Sequence, residues 1–185
     1  MTGVILFRAQ PFHKGHLEMI RHAYMTTKYL GTDLYVFIGS ADKDGTKRNP
    51  LPINIRLDLV KGAVREAFSE EIASKIHIIP LNDLSDEANN TETWGKYLYD
   101  SILPHTNDPH PLFFYSDKPD IMLSWFSGYL RSKVSFCFLD RIGEVSATEV
   151  RRNIENENNL KLQEQLPKYV YDKLHEIRPY ILLSK

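Results

Sequence analysis

One cysteine in 185 residues excludes an intrachain disulfide. Cys137 lies in the apolar run FCFL and reads as a buried thiol in a reducing compartment. No apolar run approaches membrane-spanning length, and the opening VILF is far too short for a signal-peptide core. A cytoplasmic protein with no membrane partner is the expectation. Neither sign of charge dominates: 23 Lys and Arg face 24 Asp and Glu, a formal net charge of −1. A broad nucleic-acid surface is therefore disfavoured, and any anion site must come from local clustering of cations. The chain has no internal repeat, no low-complexity segment and no GxxxxGK[ST], so a P-loop kinase is excluded. What is present suits a single domain over residues 1–185, with 42% hydrophobic and 25% charged residues. A chain of this size buries roughly 70% of its unfolded surface and needs no metal or disulfide staple.

Five short apolar runs recur along the chain: VILF (4–7), LYVFIG (34–39), IHIIP (76–80), LFFYS (112–116) and VSFCFL (134–139). They are rich in Val, Ile and Phe and mostly unalternating, as strands covered on both faces should be. Amphipathic segments predict helices at about 14–30, 53–68, 92–103, 119–130, 147–157 and 167–176, with Gly31 as a left-handed cap for the first. The alternation predicts an α/β fold, a Rossmann-like parallel five-stranded sheet with helices on both faces and right-handed crossovers. A small C-terminal helical part over about 147–185 completes it. Two long polar loops, 40–52 and 82–90, each follow a strand, at the sheet edge where open α/β folds bind ligands.

A connection that only turned the chain would use Gly, Pro, Asn and Asp. The stretch after the first strand instead holds Arg8, Gln10, His13, Lys14 and His16 around Gly15. Pro11 keeps Gln10 extended, and a helix begins close to His13 or Lys14. The free N–H groups of that helix start attract an anion, and Gly15 leaves space for a phosphate. Three residues apart, His13 and His16 share one helix face. A surface pair or a metal pair would satisfy the same spacing. No acidic or cysteine partner is spaced to complete a metal site, so no metal ligand is assigned. The second constellation is Ser146-Ala-Thr-Glu-Val-Arg151. Ser146 and Glu149 spell a capping box, hence another helix start. Either Ser146 merely caps and Arg151 is solvated, or Ser146, Thr148 and Arg151 present donors to a ligand. Two helix starts at one sheet edge make a place for a triphosphate.

The pair R-x-Q-P-F-H-x-G-H and S-x-T-x-x-R resembles the HxGH nucleotidylyltransferase superfamily. The loop GSADKDGTKRNPLPINIR resembles that of the archaeal-type nicotinamide-mononucleotide adenylyltransferases, and the resemblance runs over nearly the whole chain. It implies the nucleotidylyltransferase fold. It also implies ATP binding by Arg8, Gln10, His13, His16, Arg56, Ser146, Thr148 and Arg151, with Arg8, His13, His16 and Arg151 as the catalytic set. His16 would steady charge on the α-phosphate, and Arg56 would contact phosphates. Gly39, Ser40, Asn90, Thr91 and Trp94 match the acceptor side, Trp94 as the ring that stacks on nicotinamide. The chain departs from the family at three places: Thr91 stands where the family has Asn, Phe7 where it has Gly, and the turn at Ser116 reads SDKP where it has SGN.

The implied reaction joins nicotinamide mononucleotide to the AMP moiety of ATP, giving NAD and pyrophosphate, with magnesium bound mainly through the phosphates. The alternatives are a sister transferase, with nicotinate mononucleotide or phosphopantetheine as acceptor or CTP as donor, and a nucleotide sensor without turnover. Phosphopantetheine and CTP enzymes usually open on GTFDxxHxGH, which Arg8 and Gln10 do not match. A homo-oligomer stays open.

Overall fold

The computed structural model describes residues 1–84, 91–116, 123–140 and 145–184. Five strands form one parallel sheet: β1 (Gly3–Phe7), β2 (Leu34–Ile38), β3 (Ile76–Pro80), β4 (Leu112–Tyr115) and β5 (Ser135–Phe138). Their order is β3-β2-β1-β4-β5, so the winding reverses between β1 and β4. Ile5 lies opposite Val36 on one side and Phe114 on the other. Alternate strand residues feed two cores. Ile5, Val36, Ile38 and Phe114 pack with Leu17, Ile20 and Ala23 of α1 (Lys14–Tyr29) and Leu59, Val60 and Ala63 of α2 (Ile53–Ala67). Val4, Phe37 and Phe113 pack on the opposite face with Leu98, Tyr99 and Ile102, and these three belong to the helix that follows β3. Each such fully buried side chain contributes roughly 1.5–3 kcal/mol, enough to make the alternation binding on the register.

After α2 come α3 (Glu70–Ala73), α4 (Thr91–Thr106), α5 (Gly128–Arg131), α6 (Ala147–Glu155), α7 (Asn159–Gln165), α8 (Lys168–Asp172) and α9 (Leu174–Leu183). The first two helices match their predicted spans within a residue, and Gly31 takes the left-handed conformation at φ +69° just past α1. Elsewhere the expectations need correction. α4 runs to Thr106 through Pro104, whose missing N–H removes only one bond near the helix end. The segment predicted as 119–130 is, among the described residues, a helical turn at 123–125 followed by α5, with Ser127 starting the second piece. The single helix predicted for 167–176 is two, and α7 precedes them unannounced; Asn158 caps α7, its side chain accepting from the Lys161 N–H. Cys137 is half-buried rather than buried, because β5 is an edge strand; burial still pushes its thiol pKa up.

α8 seats on α2 where Gly62 has no side chain. A Cβ there would stand 2.0 Å from the Tyr169 ring, whose hydroxyl donates to the Asp58 carboxylate while the Tyr169 N–H donates to Glu66. Among the described residues, no helix is long and apolar enough to cross a membrane.

Candidate functional site

The reversal of winding between β1 and β4 opens a crevice at the carboxyl ends of the strands, and the loop leaving β1 runs through it. Its first anchor is backbone: the Phe7 carbonyl accepts from the Gly39 N–H at 2.9 Å, joining this loop to the one after β2. Ala9 follows in the left-handed region at φ +55°, and the Gln10–Pro11 peptide is cis. Gln10 is buried, and both ends of its amide are engaged by the Leu51 backbone, at 2.9 and 3.0 Å. This side chain, expected on the ATP side, is committed to the Leu51 backbone in this structure. It staples the first loop to the second.

Arg56, expected to contact phosphates, is turned to backbone likewise. Its side chain has no exposed surface and donates to the carbonyls of Arg8 (3.1 Å), Gly39 (2.8 Å) and Ser40 (2.7 Å). A guanidinium fork suits three converging carbonyls as no other side chain does. Burial lowers its pKa to about 10, against the pull of Asp44, Asp83 and Asp42, so it stays charged at neutral pH. Arg56 lies beneath the crevice and shapes its floor.

His13 stands at the N-cap of α1, and its N–H donates to His16 Nδ1 at 3.4 Å. The two imidazoles stack at 3.7 Å and 21°. Gly15 permits this: a Cβ would press on the His13 ring at 3.1 Å. Lys14, on the other side of the turn, donates to the Gln163 carbonyl at 2.9 Å and so ties α1 to α7. Ser146 caps α6, accepting from the Glu149 N–H at 3.2 Å. The capping box is only half made, because Glu149 accepts from Gln165, which also accepts from Asn153. Arg151 donates to the Gln10 carbonyl at 2.6 Å and to Thr148 Oγ1 at 3.3 Å, bringing the second helix start against the first loop. Between the two starts lies a cavity of about 230 Å³ whose lining includes His13, Gly15, His16, Ser116, Asp140 and Ser146.

The electrostatics are those of an anion site. Burial lowers the Arg8 pKa, and the charges of Arg48 and Arg151 lower it further, opposed by Asp83. Burial lowers Arg151 too. Arg8 thus stands in the repulsive field of Arg48 and Arg151, and an anion beside it would relieve that repulsion.

Across the crevice, Ser40 adopts φ +51°, and its hydroxyl donates to Asp83 at 3.0 Å, while the Asp83 N–H donates to Asp42 at 2.8 Å. Trp94, half-buried on α4, contacts Tyr97 at 5.4 Å and Trp125 edge-on at 6.1 Å. Gly95 lets α4 lie against the Trp125 backbone, since a Cβ would fall 1.6 Å from its carbonyl oxygen. The Tyr97 hydroxyl donates to the Asn82 carbonyl, linking α4 to the loop after β3. Thr91 opens α4; Asn90 lies outside the described residues. The structure therefore gathers Arg8, His13, His16, Ser146, Thr148 and Arg151 on one side, with Gly39 and Ser40 joined to Arg8 through Arg56. Sequence reasoning missed Arg48 and Asp83. Both sit in the polar loops it singled out, but only folding brings their charges to act on Arg8. Among the described residues, no group of three or more His, Cys, Asp or Glu is placed to hold a metal ion.

A sequence model of the cytidylyltransferase-like family matches residues 8–153. A nicotinamide-nucleotide adenylyltransferase of Thermococcus sibiricus is 26% identical over 178 residues, spanning 96% of this chain and 85% of that protein. A solved structure of a bifunctional NMN adenylyltransferase/ADP ribose pyrophosphatase from Francisella tularensis superposes with a TM-score of 0.77 at 21% identity, over 99% of this chain. The same Francisella protein complexed with AMP and an Mn ion matches at a TM-score of 0.67 and 22% identity, over 84% of this chain. The chain spans 52% and 41% of the length of those two structures, and the likeness is one of fold.

Proposed function

The chain belongs to the cytidylyltransferase-like family, and from that premise we propose that it joins nicotinamide mononucleotide to the AMP moiety of ATP, giving NAD and pyrophosphate. The observation that carries this reading is the meeting of two helix starts around one cavity, His13 and His16 from α1 and Ser146 from α6, with Arg151 bonded to the Gln10 carbonyl and its charge acting on Arg8. The name of the Thermococcus relative supports the same substrates.

In the reaction a phosphate oxygen of the mononucleotide attacks the α-phosphorus of ATP. The new P–O bond forms as the bond to the β-phosphate bridging oxygen breaks, and pyrophosphate leaves with those electrons. The nucleophile is already an anion, so no general base is required. The protein contributes positioning and charge stabilisation. Arg8 and Arg151 hold the triphosphate, assisted by the backbone donors of the α6 start and by the hydroxyls of Ser146 and Thr148. His13 and His16 sit beside the α-phosphate, and His16 meets the charge that grows there. Magnesium supplies neutralisation of phosphate charge when bound, as the metal complex of ATP, with few or no protein ligands. The Francisella structure is complexed with AMP and an Mn ion, which supports the use of a divalent metal. Gly39, Ser40 and Trp94, together with Asn90 and Thr91, serve the acceptor. The whole chain acts as one nucleotidylyltransferase domain, its part from 147 onward bracing the triphosphate end.

The test is pyrophosphate release by purified protein with ATP and magnesium, offering nicotinamide mononucleotide, nicotinate mononucleotide and phosphopantetheine in separate reactions. Release with nicotinamide mononucleotide, matched by NAD, is the expected outcome. Faster release with nicotinate mononucleotide would move the acceptor to the acid, and silence with all three alongside ATP binding would favour a sensor.

A further inference from the structure

We propose that Phe7 is a positioning residue for His16, clamping the imidazole so that it meets the α-phosphate in one orientation; this rests on the adenylyltransferase reading above. Phe7 ends β1, the strand at which the winding reverses. Its ring stacks on the His16 imidazole at 4.4 Å and 25°. The His13 ring stacks on the same imidazole at 3.7 Å and 21°. Two near-parallel rings that close cannot share a face, so His16 is held between them. Phe12, fully buried, flanks the group at 5.5 Å from His16 and 5.9 Å from Phe7. The His16 ring also has its Nδ1 turned back to the His13 N–H, leaving Nε2 as the atom aimed away from the backbone.

An imidazole on an open helix start has two side-chain torsions to spend. Clasped between Phe7 and His13 it keeps one arrangement, and its entropy is lost on folding rather than in the transition state. The interaction works through orientation, so it belongs to kcat. Phe7 makes no bond that a nucleotide would need, and ATP affinity does not depend on it. Gly at this position, as in the related motif, would leave that face of His16 open.

The experiment uses the full chain with Phe7→Ala, Phe7→Leu and Phe7→Tyr. Leu keeps apolar volume if Ala weakens the fold, and Tyr keeps the ring. Between about tenfold and a hundredfold loss of kcat is expected for Ala, and less for Leu, because misplacement by an ångström costs of that order. KM for ATP and for the mononucleotide should stay within about twofold, since uniform binding is untouched. Phe7→Tyr should restore kcat. Independently of turnover, the His16 Cε1 proton, shielded by the Phe7 ring, should move downfield in the Ala and Leu variants and not in Tyr. A kcat that survives Phe7→Ala and Phe7→Leu, or a resonance that does not move, overturns the clamp. If wild-type protein releases no pyrophosphate with any acceptor, the reading of function fails, and the His16 resonance still decides whether Phe7 holds the ring.

Discussion

Single side chains divide here into those that touch a ligand and those that hold the crevice open for one, and the two kinds fail differently. His16→Ala should cost roughly 3–4 kcal/mol of transition-state stabilisation, about a hundred- to thousandfold in kcat, by analogy with removal of one oxyanion donor. Stopped or steady-state pyrophosphate assays check it, with unchanged thermal unfolding as the control; a loss under about tenfold would remove His16 from the mechanism. Arg56 should behave in the opposite way. Its depressed pKa means the folded chain holds that proton less tightly than the unfolded chain, a penalty present at neutral pH and relieved only above pH about 10. The bonds to Arg8, Gly39 and Ser40 offset it. Arg56→Lys keeps the charge and loses the fork, leaving buried carbonyls without donors, and should destabilise the fold by about 2–4 kcal/mol in urea melts. Were Arg56 a phosphate ligand instead, the same change would spare stability and reduce activity alone. Nothing in the sequence separates Arg56 from Arg8. Both are arginines near polar loops, and only the fold decides which is sealed beneath the crevice.

At the level of elements, what was legible followed from local pattern. The β-strands stand where Val, Ile and Phe cluster, and α1 and α2 end near Gly31 and Phe68 as the periodicity requires. What was not legible depended on distant partners. The break between α8 and α9, and the presence of α7, owe to the docking of Tyr169 over Gly62 and to the Asn153–Gln165–Glu149 chain, whose members no spacing rule connects. The paired motifs were readable because each is contiguous; Asp83 and Arg48 were not, because their meaning lies in their charges acting on Arg8. Gly62→Ala weighs the two kinds of information against each other. Helix propensity favours Ala by about 1 kcal/mol, while displacement of the Tyr169 ring costs about 1–3 kcal/mol. The steric cost should win, lowering the urea midpoint, and pairing the change with Tyr169→Ala should remove the extra loss.

The whole molecule carries net charge −1 yet sets Arg8 in the field of both Arg48 and Arg151. ATP should therefore act as a structural ligand as well as a substrate: at a hundredfold excess over its Kd it should add about 2.7 kcal/mol to unfolding, visible as a raised Tm. Arg151→Ala should lose most of that shift, and rising salt should shrink it for the wild type. The bonds from Lys14 to Gln163 and from Arg151 to Gln10 have one more consequence, in the order of synthesis. The loop that leaves β1 is made before its partners, since Arg151 follows Gln10 by 141 residues and Gln163 follows Lys14 by 149. A chain still growing on the ribosome has the histidines before it has their brace, and its grip on nucleotide should arrive only after Arg151 and Gln163 have been added. Chains cut short of Ser146 should therefore hold ATP poorly, and nucleotide binding should mark the arrival of the second helix start.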